Sequence, residues 1–250
     1  MGYGVELSSR TTVSAAGKVP SKVPRKVSGG AGALARQGKK KPRGRRGIDR
    51  NDILEAGFAM LAQEGEAGFS VRKLAAKTGV DPMTVLHHFQ SRDALLRSIA
   101  DHSLASVDLP LPSGDWRRDL LAVANAYRAL ARRYPKVFHL HFRFNATGPA
   151  DHASSEVVYR AMRATGLPDP VAAGLGLAFY AFVLGFALAE TEGLLAPLSE
   201  PEEGELLALD PLGYPATRAF IPAFKKLDAQ AAFDNAFAAF VAGVGLRAKA

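Results

Sequence analysis

Residues 70–95 read SVRKLAAKTGVDPMTVLHHFQSRDAL, the pattern of two short helices joined by a tight turn. Ser70 is placed to cap a helix in which Val71, Leu74 and Ala75 turn inward while Arg72, Lys73, Ala76 and Lys77 turn outward. Gly79 supplies a left-handed turn, and Val80 fills the angle between the helices. Asp81 caps the next helix, with Pro82 at the favoured first position and Val85 and Phe89 as anchors. Met83, Thr84, Leu86, His87 and His88 are left around the outer side and ends of that helix. Such a unit is a helix-turn-helix, whose second helix has the dimensions of the DNA major groove.

Working outward, Asp49 reads as the cap of a helix running to Glu64, with Ile53, Leu54, Gly57, Met60 and Leu61 as its inner stripe and Gly65 as its stop. A fourth helix begins after Ser91 and runs to about Ser106. The loop DLPLPSGD ends in Asp115, a cap for WRRDLLAVANAYRALARRY, which Tyr134-Pro135 breaks. Helical periodicity is expected again over 135–143, 153–165, 171–192, 215–227 and 229–246. No alternating pattern lasts long enough for a strand, and no internal repeat is present. The expected class is all-α, with a three-helix helix-turn-helix domain at 47–95 and a helical domain at 96–250.

Residues 1–46 differ in kind. They carry 12 Lys/Arg and one acid, Glu6, a net of +11, which leaves 20 basic and 23 acidic residues, a net of −3, for 47–250. The run KKKPRGRR closes this segment, which is rich in Gly, Pro and Ser and has no apolar period. It is expected to be a disordered basic tail with salt-dependent affinity for polyanions. Arg43, Arg45 and Arg46 are its candidate DNA contacts. Pro42-Arg43-Gly44-Arg45 resembles the core of an AT-hook, which lies in a narrow minor groove, although Arg46 stands where that motif has proline.

The chain has no cysteine, which excludes disulfides and zinc-thiolate sites and fits a reducing cytoplasm. The N-terminus lacks the apolar stretch of a secretory signal. Val171–Ala189 runs 19 residues without a charge, yet it holds six Ala and three Gly and is followed by Glu190 and Glu192. A helix buried on all sides by protein is the expectation there, with no membrane partner.

The third helix carries the specificity argument. Met83 is placed to meet a thymine methyl, Thr84 and His88 to hydrogen-bond a base or phosphate, and Arg72 to fork onto a guanine edge or a phosphate.

Residues 48–95 resemble the DNA-binding domain of the tetracycline-repressor (TetR) family of bacterial transcription regulators. The resemblance rests on LAQEG at 61–65, on FSVRKLAAKTGVDPMTVLHHFQSRDALL at 69–96, and on the spacing of Gly79-Val80, Thr84, His88-Phe89 and Arg92-x-x-Leu95. It implies DNA contacts at Ser70, Arg72, Pro82, Met83, Thr84, His88 and Arg92. Leu86 departs from the family's usual Tyr, so its phosphate contact is lost or moved to His87. Farther on, SGDWRRDLLAVANAYRALARRYPKVFHL resembles the start of the ligand domain in the branch nearest the tetracycline repressor itself.

The resemblance implies a cytoplasmic, nucleoid-associated homodimer built around a four-helix bundle. It further implies a repressor released from a palindromic double-stranded operator by an unidentified small-molecule effector. Gly174, Ala178, Ala181 and Gly185 would allow close helix approach, and Phe233, Phe237, Phe240 and Val244 would form a second apolar face. Tyr127, Phe138, His139, Phe142, Phe144, Tyr159 and Phe182 are candidates to line the effector cavity, each with ordinary helix packing as its alternative. His139 and His141 are two apart and on different helix faces, so no metal site is expected from them. No cofactor and no catalytic constellation is expected. The alternative is an architectural DNA binder dominated by its tail, without an effector.

Overall fold

The computed structural model describes residues 48–108, 111–144 and 147–248. The basic tail, including Arg43, Arg45 and Arg46, lies outside the described residues. Among those described, eleven α-helices and no strand occur. The first four are α1 (Arg50–Gly68), α2 (Val71–Thr78), α3 (Pro82–Phe89) and α4 (Arg92–Ala105). Asp49 caps α1 in a reciprocal box with Asp52, and Ser70, Asp81 and Ser91 cap the next three through their side-chain oxygens. Gly65 does break α1, at φ 73°, but one further turn follows before Phe69.

The second half comprises α5 (Trp116–Arg133), α6 (Pro135–Arg143), α7 (Pro149–Arg163), α8 (Asp169–Thr191), α9 (Glu200–Ala208), α10 (Pro215–Phe224) and α11 (Ala229–Arg247). α7 starts four residues earlier than its apolar period suggests, because Pro149 opens it at the first helical turn. α9 is not foreseen by periodicity, since it buries no residue. Its signal is instead the capping box of Ser199 and Glu202.

Two hydrophobic cores are built. One joins Leu54, Leu61, Leu74, Val85, Phe89, Leu95 and Ile99 of α1–α4 to Val137 and Leu140 of α6. The other joins Leu104 of α4 to Leu120 and Tyr127 of α5, Phe138 of α6, Val158 of α7, Phe179 and Val183 of α8 and Phe233 of α11. The expected boundary at 95/96 therefore falls inside a continuous helix. α4 serves both cores, its first half in one and its last turn in the other.

The apolar segment 171–189 corrects an expectation. Within one chain α8 buries a single stripe, Ala172, Gly176, Phe179, Val183 and Ala187, and not its whole circumference. Gly174, Ala178 and Ala181 are exposed and Gly185 half-buried on the other side. α8 and α11 are both long and apolar enough to cross a membrane by composition, and only a minor share of each is buried in a single chain.

Candidate DNA interface and effector cavity

The helix-turn-helix presents a continuous outer face. Gly79 takes φ 72°, ψ 29° as the end of α2, and its amide closes onto the carbonyls of Ala75 and Ala76. The turn frees the first residues of α3 from the core. Met83 is 69 % exposed, Arg72 and His87 are exposed, and Ser70, Pro82, Thr84 and His88 are half-buried around them. Leu86 is half-buried and its place supplies no hydroxyl. Seven of the eight expected DNA-contact residues outside the tail are thus exposed or half-buried.

Arg92, the eighth, is held within the chain. Its Nη2 lies 2.9 Å from Oε1 of Glu66, and Glu66 also holds Arg143 at 2.8 Å and His139 at 3.0 Å, both from α6. The Arg92 cation is therefore committed to a cluster joining α1, α4 and α6, and it would have to leave that cluster to meet a phosphate. The hydrogen bond from His139, aided by those from Arg92 and Arg143, outweighs desolvation and holds the Glu66 carboxyl down at about 2.

A cavity of about 400 Å³ opens between α5, α6, α7 and α8. Tyr127 enters from α5, while Asp151, Ser155 and Tyr159 form an i, i+4, i+8 stripe of α7 with His152 beside them. Leu177, Tyr180 and Leu184 face it from α8, and His141 and Phe144 close the α6 side. The Tyr127 hydroxyl donates to Asp151 at 3.3 Å, and the Tyr180 hydroxyl pairs with Ser154 at 3.0 Å. Burial pushes both phenols up, Tyr180 to about 12, and lifts the Asp151 carboxyl. Burial also drives His141 down to about 4, so its imidazole is neutral at physiological pH.

Of the seven residues expected in an effector cavity, Tyr127, Phe144 and Tyr159 line this one. Phe138 is fully buried in the second core beneath it. His139 and Phe142 do not line it, the first being bonded to Glu66 and the second 59 % exposed. Phe182 packs instead in the α8–α11 seam, stacked 6.1 Å from Phe233 and 6.0 Å from Phe240. His141, Asp151, His152, Ser155 and Tyr180 were not anticipated. Only the helical phase of α7 and α8 distinguishes them, and that phase is unreadable until the neighbours of each helix are known.

The expected partner-facing residues divide similarly. Phe233 and Val244 are buried within the chain itself, whereas Phe237 and Phe240 are half-buried. α11 thus uses Phe233 to grip α8 and Arg128, packs Phe240 on Phe179 and Phe182, and leaves Ala238, Ala239 and Ala242 outward.

The cavity is joined to the DNA-binding unit through α4. Asp101 accepts the amides of Ala150 at 2.9 Å and Asp151 at 3.1 Å, capping the start of α7. Two residues on, Ser103 lies 3.0 Å from Nε2 of His141 in the cavity wall. A helix shared with the first core therefore touches two sides of the cavity.

An exposed helix-turn-helix, a helical body with a cavity of mixed apolar and polar lining and a shared connecting helix fit a DNA-binding regulator of the effector-responsive kind. The chain belongs to the tetR family of bacterial regulatory proteins. The family's DNA-binding model matches residues 53–99, and the tetracyclin repressor-like C-terminal domain matches residues 109–248. The family comprises DNA-binding transcriptional repressors that form dimers and respond to small molecules. The chain is 27 % identical to the class A tetracycline repressor of Escherichia coli over 79 % of its length and 90 % of that protein. A solved transcriptional regulator from Streptomyces coelicolor A3(2) is 30 % identical, with a TM-score of 0.66 over 80 % of this chain and 98 % of that one. ActR of the same genus and species, solved with actinorhodin, shares the fold at 23 % identity, with a TM-score of 0.70 over 80 % of this chain and 98 % of its own.

Proposed function

We propose that the chain acts as a homodimeric repressor whose two α3 helices enter successive major grooves of a palindromic operator, and which a ring-bearing, neutral small molecule releases. The observation that carries this reading is the double attachment of α4. Asp101 and Ser103 bind the rims of the cavity, while Leu95, Leu96 and Ile99 of the same helix lie in the core of the DNA-binding unit. A ligand that favours one position of α4 favours one separation of the reading heads, and the free energy available for release is the ligand's difference in affinity between the two states.

Dimerisation is supported by the outward apolar faces of α8 and α11, which a lone chain would leave in water. Burying them against a second copy forms the four-helix bundle. The aromatic walls Tyr127, Phe144, Tyr159 and Tyr180 suit a flat fused-ring molecule, the class for which the tetracycline-repressor relative is named. Arg72, Met83, Thr84 and His88 read bases or phosphates, and Ser70, Pro82 and His87 position the unit on the backbone.

The experiment is selection of bound duplexes from a random library with the full chain, followed by footprinting. Two inverted half-sites about 10 base pairs apart, centre to centre, or a multiple of that, are expected. Enrichment of no sequence, with equal binding to all duplexes, would replace this reading with the architectural one.

A further inference from the structure

We propose that Glu66 is a stand-in, within the chain, for a DNA phosphate. It holds the Arg92 guanidinium while the chain is free, and a phosphate beside the reading helix takes its place when the chain binds DNA. The proposal rests on the DNA-binding reading above and adds to it an autoinhibitory contact that weakens the grip on DNA.

Gly65 prepares the contact. Its backbone, at φ 73° and ψ −179°, breaks α1, and the chain restarts for one more turn headed by Glu66. Glu66 thereby leaves the apolar phase of α1 and meets three donors. Nη2 of Arg92 reaches Oε1 at 2.9 Å from α4, and Nη1 of Arg143 reaches the same oxygen at 2.8 Å from α6. Nε2 of His139, also on α6, lies 3.0 Å from Oε2.

The three donors are not equivalent. His139 and Arg143 stand one turn apart on α6, and Arg143 also reaches Asp93 at 3.4 Å. Arg92 is the first residue of α4, and only Gln90 and Ser91 separate it from Phe89, the last residue of α3. A helix seated in the major groove has phosphates along both rims, so a cation just past its end is within reach of one. The Arg92 side chain keeps 40 % of its surface exposed, so it can turn outward without leaving a core. Its place at the positive end of α4 favours an anion at its side, carboxylate or phosphate alike.

The exchange strands no charge. When Arg92 turns to a phosphate, Glu66 keeps both donors of α6, and the guanidinium gains a fork of phosphate oxygens. What binding must give up is one half-exposed ion pair at each reading head, little enough for DNA to overcome and enough to be felt twice in a dimer.

The test titrates a fluorescent operator duplex with the full chain, with Glu66→Gln, with Arg92→Ala and with the double variant. Gln keeps the shape and one acceptor oxygen of the glutamate and removes the charge that competes with a phosphate. We expect Glu66→Gln to tighten binding about five- to tenfold per dimer, and to change nothing in the Arg92→Ala background. Equal or weaker binding by Glu66→Gln overturns the exchange. The same gain in the Arg92→Ala background also overturns it, because removing any anion near DNA would produce that result. Nitrogen-15 spectra of the arginine side chains follow the wild type without any variant. An Arg92 signal that moves on addition of duplex while that of Arg143 holds supports the exchange, and an unmoved Arg92 signal overturns it. Selection of no operator would overturn the repressor reading and the exchange together, whereas an operator bound equally by wild type and Glu66→Gln overturns the exchange alone.

Discussion

The guanidinium of Arg128, 2 % exposed, forms a two-pronged pair with Glu190, its Nε and Nη2 each 3.1 Å from a carboxylate oxygen. The same cation lies 3.8 Å from the centre of the Phe233 ring and donates to Gln230 at 3.1 Å. α5, α8 and α11 are thus tied by one buried charge. Desolvation pushes the Glu190 carboxyl up, but the hydrogen bonds from Arg128 and Arg132 outweigh it and hold it below the usual range.

Removing one partner of such a pair strands the other. Glu190→Leu should destabilise the chain by about 3–5 kcal/mol, because Arg128 would remain buried with only a neutral amide and aromatic faces around it. Arg128→Met combined with Glu190→Leu should recover much of that loss. Urea unfolding of the two single variants and the double variant checks this. Additive losses in the double variant would show that the pair acts as two independent residues.

Glu66 offers a pH signature. Its carboxyl stands at about 2 in the folded chain against an ordinary 4.5, so its folded form binds the proton more weakly than the unfolded form. The stabilisation is therefore fully present above the ordinary value and is lost as pH falls toward the folded one. The stability difference between wild type and Glu66→Gln should shrink as pH falls from about 4.5 to about 2. Unfolding midpoints measured across that range decide it, and a constant difference would refute the coupling.

Much of the fold was legible because its helix boundaries are written in short-range chemistry. Asp49, Ser70, Asp81, Ser91 and Asp115 all cap where a capping side chain precedes an apolar period. Which residues of α2 and α3 stay outside the core was legible too, since a helix-turn-helix fixes by its turn which side packs inward. The cavity was less so. Phe138 and Phe142 are both aromatic and four apart on one short helix, yet the first is buried and the second 59 % exposed. Four apart, they lie on one side of α6, so the difference is how far along that helix its neighbours reach, a tertiary fact with no local signature. The same limit hid His141, whose importance comes from Ser103, 38 residues away in sequence.

On the DNA face, Arg72→Ala and Thr84→Ala should each weaken specific operator binding by roughly 1–3 kcal/mol, with little change in stability since neither side chain belongs to the core. Anisotropy titrations on the selected operator and on a scrambled duplex separate base readout from phosphate attraction. An effect of equal size on both duplexes would reassign the residue to the backbone.

Gly148 tests the junction of α4 with α7. A Cβ built there would lie 2.6 Å from the Asp101 carboxylate, which caps α7. Gly148→Ala should displace Asp101, cost about 1–2 kcal/mol as a lost cap does, and loosen the linkage between cavity and reading head. Thermal unfolding gives the first quantity. The effector concentration needed for release gives the second, and no change in either would mean that Asp101 relaxes freely.

The outward stripe of α8 sets the last expectation. Ala178 is exposed in a single chain, and Glu favours helices, so Ala178→Glu should leave the protomer folded. In the proposed dimer the same change brings two carboxylates into a seam of Gly and Ala, with desolvation and mutual repulsion acting together. The dimer dissociation constant should rise by roughly a hundredfold or more, as the stranding of a buried charge implies. Operator binding should fall with it, because a single reading head loses the second half-site. Sedimentation velocity across a concentration series measures the first effect, and anisotropy at matched concentrations the second. An unaltered dimer would move the interface off this face of α8, to the remaining apolar surface of α11.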